Sequence, residues 1–311
     1  GDPFNPREIR ESAERIRALG YFSKADVEAR EGSGPDKVIL DVDVEETTTG
    51  SLSFGGTYST NSGFGLAVKL NETNFLGRGQ KLNLTVSGGD TNRDYSVVFV
   101  EPALLGRDLA FGFDLGYRET TGQYAKYDTE VVRFNPSLTF PISERSKLRL
   151  AYKLQSTKLS IPSTVTVGGI ITSETGKLLS SSVGYTYTFD SRLNGLSPDK
   201  GVLLEFGQDF AGLGGQTKYI KSTARAVAQT KILNDEVTLR ATLEGGALNF
   251  VGGQTSRVTE RFGFGQEIMR GFTPDGIGPR EIGGGANDAL GGRFFAVARF
   301  EAEFPIGLPD E

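Results

Sequence analysis

The segment Leu109–Arg118 alternates without a break: Leu109, Phe111, Phe113, Leu115 and Tyr117 interleave with Ala110, Gly112, Asp114, Gly116 and Arg118. Successive side chains of a strand point to opposite faces, so this segment is apolar on one side and polar on the other. It is longer than the ~5–6 residues of an ordinary strand and matches the ~9–11 that a tilted strand needs to cross a bilayer. The pattern recurs from Thr47 onward, over spans near 50–60, 63–74, 80–89, 93–102, 108–119, 128–140, 146–160, 177–190, 200–211, 215–231, 236–249 and 291–304. Amphipathic strands in this number satisfy their backbone polar groups in a membrane only as a barrel. The predicted fold is an all-β transmembrane barrel.

Composition agrees where it bears on that reading. Mean hydropathy is -0.26, and no apolar run approaches the ~18 residues of a spanning helix. A barrel resolves the conflict, because half of each strand faces a wet interior. The predicted lipid-facing sets are Leu82, Leu84 and Val86; Leu148, Leu150, Tyr152 and Leu154; and Val183, Tyr185, Tyr187 and Phe189. Their neighbours Lys81, Asn83, Thr85, Lys147, Arg149 and Lys153 must face inward, since a mid-bilayer Lys or Arg costs ~2–4 kcal/mol.

The chain has no His and no Cys, which removes the commonest general bases, nucleophiles, disulfides and zinc ligands. The paired acids Glu45 and Glu46 sit at a junction and read as solvated. No enzyme activity, cofactor or metal site is expected. A net charge of -5 argues against nucleic acid as a partner.

Residues 1–46 differ from the rest of the chain. Asn5 suits an N-cap, Pro6 the first helical position and Glu8 a capping box. Ile9, Ala13, Ile16 and Leu19 then form an apolar stripe that Gly20 ends. A strand over 21–30, a turn over 32–36 and a strand over 37–45 with Val38, Leu40, Val42 and Val44 complete a small α+β unit. The predicted division is 1–46 and 47–311, with one Gly-rich connection, about 250–290, far longer than a hairpin loop and therefore a functional candidate.

Inside that connection lies Met269-Arg270-Gly271-Phe272. Arg270 reads either as a solvated loop residue or as the partner of carboxylates on the last strand, where Arg299, Glu301 and Glu303 alternate with Phe300, Ala302 and Phe304. An Arg fork suits such a pairing. Asp190-Ser-Arg192 through Gly201 fails as a calcium loop, because position three is Arg192 and position twelve is Gly201; it reads as an inter-strand turn. Asn74-Phe-Leu-Gly77-Arg-Gly79 has no following helix pattern and no Gly-Lys-Ser/Thr, so it too reads as a turn. Asn71-Glu-Thr73 and Asn83-Leu-Thr85 match a glycosylation acceptor by chance.

Together these motifs resemble the BamA family of outer-membrane β-barrel assembly proteins. The resemblance rests on Leu19-Gly20-Tyr21-Phe22 after the first helix, Asn74 to Gly79, Glu101-Pro102, Asp190-Ser191-Arg192 with Pro198 and Gly201, Arg270-Gly271-Phe272, and Gly291-Gly292. It covers essentially the whole chain, and Arg-Gly-Phe in that loop is its most specific part.

The resemblance implies about twelve of an expected sixteen antiparallel strands, preceded by the C-terminal part of the last periplasmic POTRA domain, and so a chain truncated at both ends, at its end by Leu308-Pro309-Asp310-Glu311. It implies the folding and insertion of client barrels into the bacterial outer membrane without ATP. Partners would be unfolded outer-membrane β-barrel clients, accessory assembly lipoproteins and outer-membrane lipid. It assigns Arg270, Gly271 and Phe272 to a loop folded into the lumen, Glu301 and Glu303 to its acidic partners on the wall, and Ser51, Leu52, Ser53, Phe54, Gly55 and Gly56 to the first strand of a gate. A related polypeptide-secreting transporter is the alternative, although no plug-helix pattern is visible. A diffusion porin would lack the N-terminal unit, and a soluble adhesin would be polar on both faces.

Overall fold

Twelve antiparallel strands make one sheet: β3 (Gly50–Ser59), β4 (Gly63–Phe75), β5 (Gln80–Gly89), β6 (Asn92–Glu101), β7 (Ala110–Thr120), β8 (Asp128–Ser143), β9 (Ser146–Ser160), β10 (Gly176–Asp190), β11 (Gly201–Gly215), β12 (Tyr219–Ile232), β13 (Val237–Phe250) and β16 (Phe294–Glu303). Each pairs with its sequence neighbour, and β16 joins β13, so β3 and β16 are the two end strands. Before the sheet, β1 (Phe22–Glu31) and β2 (Val38–Glu46) form a hairpin; between β13 and β16, β14 (Arg280–Gly283) and β15 (Ala286–Ala289) form a small one. The structure, a computed structural model, describes residues 9, 13–14, 16–17, 19–34, 37–59, 63–122, 126–192, 200–233, 236–265, 268–283 and 286–304.

All twelve expected strands are present, within a few residues of their expected bounds. The largest displacements are at the hairpin of β11, which continues to Gly215, and β12, which begins only at Tyr219. Gly212, Gly214 and Gly215 all have positive φ, which lets the strand bulge where the register shifts between Ser180 and Ser182 and still keep pairing. The last strand starts later than expected, at Phe294, because Gly292 exchanges two backbone hydrogen bonds with Phe262 instead. The expected capping residues Asn5, Pro6 and Glu8, Thr60 at the end of the first barrel strand, residues 193–199 of the Asp190 connection, and Leu308–Glu311 lie outside the described residues.

Connections fall alternately at two ends. Those at the end facing β2, termed proximal, are turns. Asn74 shows how one is made: its backbone and side-chain oxygens accept the N–H groups of Gly77 and Gly79 at 2.9 and 2.7 Å. In the Asp190 turn, Arg192 returns both its N–H and its guanidinium to Asp190 at 2.9–3.0 Å. The Asn74 motif is a turn, as the sequence indicated. The distal end carries the long segments 161–175, with helix α1 (Gly169–Ser173), and 251–293.

The two faces of the sheet separate by chemistry. One face, termed inner, carries cross-strand ion pairs: Arg118–Asp94 at 2.6 Å, Arg133–Asp114 at 2.8 Å and Lys153–Asp209 at 2.7 Å. The other presents apolar side chains in register, such as Leu115 beside Phe134, and Leu150 beside Leu138 and Tyr185. Leu115 is 48 % exposed at mid-strand. In the lipid-reconstituted full chain, Leu115→Arg is expected to lower unfolding free energy by ~2–4 kcal/mol, read by urea titration.

In the N-terminal unit, Gly20 has φ +70° and donates to Arg17 O, closing the helix as expected. Ala13 and Ala25 are buried, while Leu40, Val42 and Val44 on β2 stay exposed.

Candidate functional site

The 251–293 segment folds against the inner face. Phe295 alternates with the outward Phe294 and stands opposite Gly246 of β13. Phe262 and Phe264 from the segment pack on it, with ring centroids 4.7 and 4.6 Å away. Gly246 makes this possible: a Cβ there would run into the Phe295 ring and lie 2.8 Å from Phe262. Lys221, inward on β12, sits 4.5 Å over the Phe262 ring and donates to Glu260 O at 3.2 Å, a cation–π contact shielded from water.

Beyond the aromatic seat, turns at Gly265–Met269 and Thr273–Gly276 carry the chain through Arg270. Gly271 adopts φ +91°, a conformation that a side-chain-bearing residue rarely takes. Arg270 lines a cleft of about 1110 Å³ together with Arg225, Arg240, Arg299, Glu301 and Glu303. The residues singled out from sequence are therefore brought together, but not as a direct ion pair. Arg299 bonds Glu244 at 2.5 Å and Glu244 also faces Arg225 at 3.4 Å, while Glu301 faces Arg240 at 3.8 Å. Arg270 and Glu303 make no ion pair among the described residues. Phe272 is exposed.

At the other end of the sheet, β3 pairs only with β4 among the described residues. Ser51, Ser53 and Gly55 lie on its inner face, opposite Asn71, Lys69 and Ala67. Leu52 and Phe54 point outward and are 57 % and 75 % exposed. Small inner residues and a bare outer face leave such a strand little side-chain packing to lose when it exchanges partners.

The sequence did not disclose the distal cap that holds the loop. Leu159, Ile171 and Val258 form a buried cluster, with Tyr127, Ile161, Val167 and Leu290 packed on it. Around it, Arg261 binds Glu174 at 3.0 Å, the Ser256 hydroxyl at 2.7 Å, Ser256 O at 2.5 Å and Leu290 O at 3.3 Å. Asp288, its side chain fully buried, accepts from Gly168 N–H at 2.6 Å and faces Lys126 at 3.0 Å. Glu281 accepts from Ile170 N–H at 3.0 Å. Burial pushes the Tyr127 hydroxyl up to about 12, helped by the charges of Asp275 and Glu174. Burial also holds the Glu260 carboxyl above the usual carboxylate range, against the Arg257 N–H and the positive charges of Arg257 and Lys221. The one sequence signal was the non-alternating apolar content of 161–171.

A wall of long amphipathic strands, an inward-folded loop and an N-terminal α+β unit define an outer-membrane β-barrel protein with a POTRA unit. Residues 74–311 match the Omp85 superfamily domain, and residues 1–47 match POTRA, the surface antigen variable number repeat. The chain belongs to the Omp85 superfamily. It is 28 % identical to outer membrane protein assembly factor BamA of Neorickettsia risticii (strain Illinois), over 100 % of this chain and 41 % of that protein. Among solved structures, BamA from Haemophilus ducreyi lacking POTRA domains 1–3 matches at TM-score 0.72 and 18 % identity, covering 97 % of this chain and 62 % of that one. CdiB from Acinetobacter baumannii matches at TM-score 0.57 and 14 % identity, covering 99 % and 56 %. The chain thus spans about two fifths of the length of its bacterial BamA relative.

Proposed function

We propose that this chain serves in the central subunit of the outer-membrane β-barrel assembly machinery, which folds and inserts client barrels into the outer membrane. The observation that carries this reading is the wall of twelve long amphipathic strands, whose inner face holds a long seated loop and which follows a unit matching POTRA. A client strand adds to the edge of β3 by main-chain hydrogen bonding, with little sequence demand. Ser51, Leu52, Ser53, Phe54, Gly55 and Gly56 form the gate strand, and the small residues among them lower the cost of opening it. Arg270-Gly271-Phe272 is the lumenal loop motif. Glu301 and Glu303 are its acidic partners, reached when Glu301 leaves Arg240, an exposed pair of little strength.

Residues 1–46 are the C-terminal part of the last POTRA domain, in the periplasm, and 47–311 an incomplete transmembrane barrel with its long loop at about 250–290. Partners are unfolded barrel clients, accessory lipoproteins that pair with the β1–β2 hairpin, and outer-membrane lipid. Neither catalysis nor a cofactor is part of the mechanism. The secreting-transporter alternative is less favoured, since the CdiB likeness is weaker than the BamA likeness on both TM-score and identity.

The test is depletion of the full-length parent, rescued with the parent itself or with a version lacking residues 50–59. Folded outer-membrane barrels, unrelated porins included, are expected to fall together and to recover only with the intact parent. Loss of one secreted protein with porins intact would establish the transporter reading instead.

A further inference from the structure

The register aligns one outward residue from each of five neighbouring strands in a single row near the distal end. These are Arg93 on β6, Glu119 on β7, Glu130 on β8, Lys158 on β9 and Lys177 on β10. Directly proximal to them come Tyr95 and Tyr117, stacked at 6.0 Å, and then Leu115 and Phe134 of the apolar face. Charged side chains are costly at the bilayer midplane and nearly neutral at its interface. Tyr is the residue that sits between the two environments. The row therefore marks the level at which the apolar wall meets the headgroup layer.

Within the row, charge is arranged unevenly. Arg93 pairs with Glu119 at 3.0 Å and Lys158 with Glu130 at 2.6 Å. Lys177 is exposed and makes no ion pair among the described residues, yet it stands directly opposite Lys158. Like charges in that position repel, and an anion between them removes the repulsion. On an outward face at interface level, the anion within reach is the phosphate of a lipid headgroup. We propose that this row seats phosphorylated lipid headgroups, with a phosphate held between Lys158 and Lys177. The proposal rests on reading the sheet as a membrane wall.

The chain contains no Trp, so Leu179→Trp, one outward position proximal to Lys177, gives the full chain a single reporter. The protein is reconstituted in phosphatidylcholine vesicles holding a small fraction of either brominated phosphatidic acid or brominated phosphatidylcholine. Quenching by the phosphatidic acid is expected to exceed that by the phosphatidylcholine. The apparent preference should fall about fivefold in Lys177→Gln, the loss of one interfacial lysine, and persist in Lys177→Arg. Equal quenching by the two lipids, or an unchanged preference in Lys177→Gln, would overturn the proposal and leave the membrane wall standing. Absence of quenching by either lipid would remove the membrane wall itself.

Discussion

Arg261→Ala is expected to unfasten the distal cap at a cost of ~3–5 kcal/mol, the usual penalty for stripping one partner from a buried ion pair. The side chains of Arg261 and Glu174 are only 13 % and 10 % exposed. Without the guanidinium, Glu174 keeps the Val258 N–H alone, and Ser256 and Leu290 lose a shared donor. Hydrogen exchange in the lipid-reconstituted full chain checks this. Amides in 256–262 and 168–175 should lose protection together, while those of β7 to β9 stay as they were. Replacing both members by Met should restore much of the protection, since an apolar pair of similar volume leaves no buried charge. Unchanged exchange in Arg261→Ala would mean that the apolar cluster holds the cap unaided.

The second large effect belongs to Phe295. Phe295→Ala removes the ring on which Phe262 and Phe264 rest and opens a void above Gly246, at ~3–5 kcal/mol. Its consequence is positional, because the loop carrying Arg270 loses its seat on the wall. The chain has no Cys, so Met269→Cys, exposed beside Arg270, carries a single spin label whose mobility reports loop release. Mobility should rise in Phe295→Ala and stay as in the parent in Phe295→Leu, which refills the space. Equal mobility in all three would show that the loop is held by the cap alone. In cells, the same Phe295→Ala change in the parent is expected to depress barrel assembly, if Arg270 acts from its lumenal position.

Both sites differ in how far the sequence disclosed them. The wall was legible because a strand writes its faces with period two: Leu109 to Arg118 shows in one line which side chains meet lipid. Strand ends were less legible where glycines allow pairing to continue, as at Gly212–Gly215. Alternation also placed Glu301 and Glu303 on one face and suggested that the Arg270 loop lies near them. It did not reveal that Glu301 faces Arg240 or that Glu244 takes Arg299, because those pairings depend on the β13–β16 register. The cap left almost no trace. Its contacts join segments far apart in the chain, and neither 161–175 nor 251–293 repeats with any period.

The cap's hydrogen bonds tie residues separated by 84 positions, Val258 to Glu174, and by 120, Gly168 to Asp288. Ordering so long a stretch before any contact rewards it is slow and entropically costly. Strands β10 to β13 lie between those anchors, and once paired they bring the anchors together at no further cost. Cap closure is therefore a late event in this protein's own folding: a knot tied only after the stretch of wall between its anchors has been built.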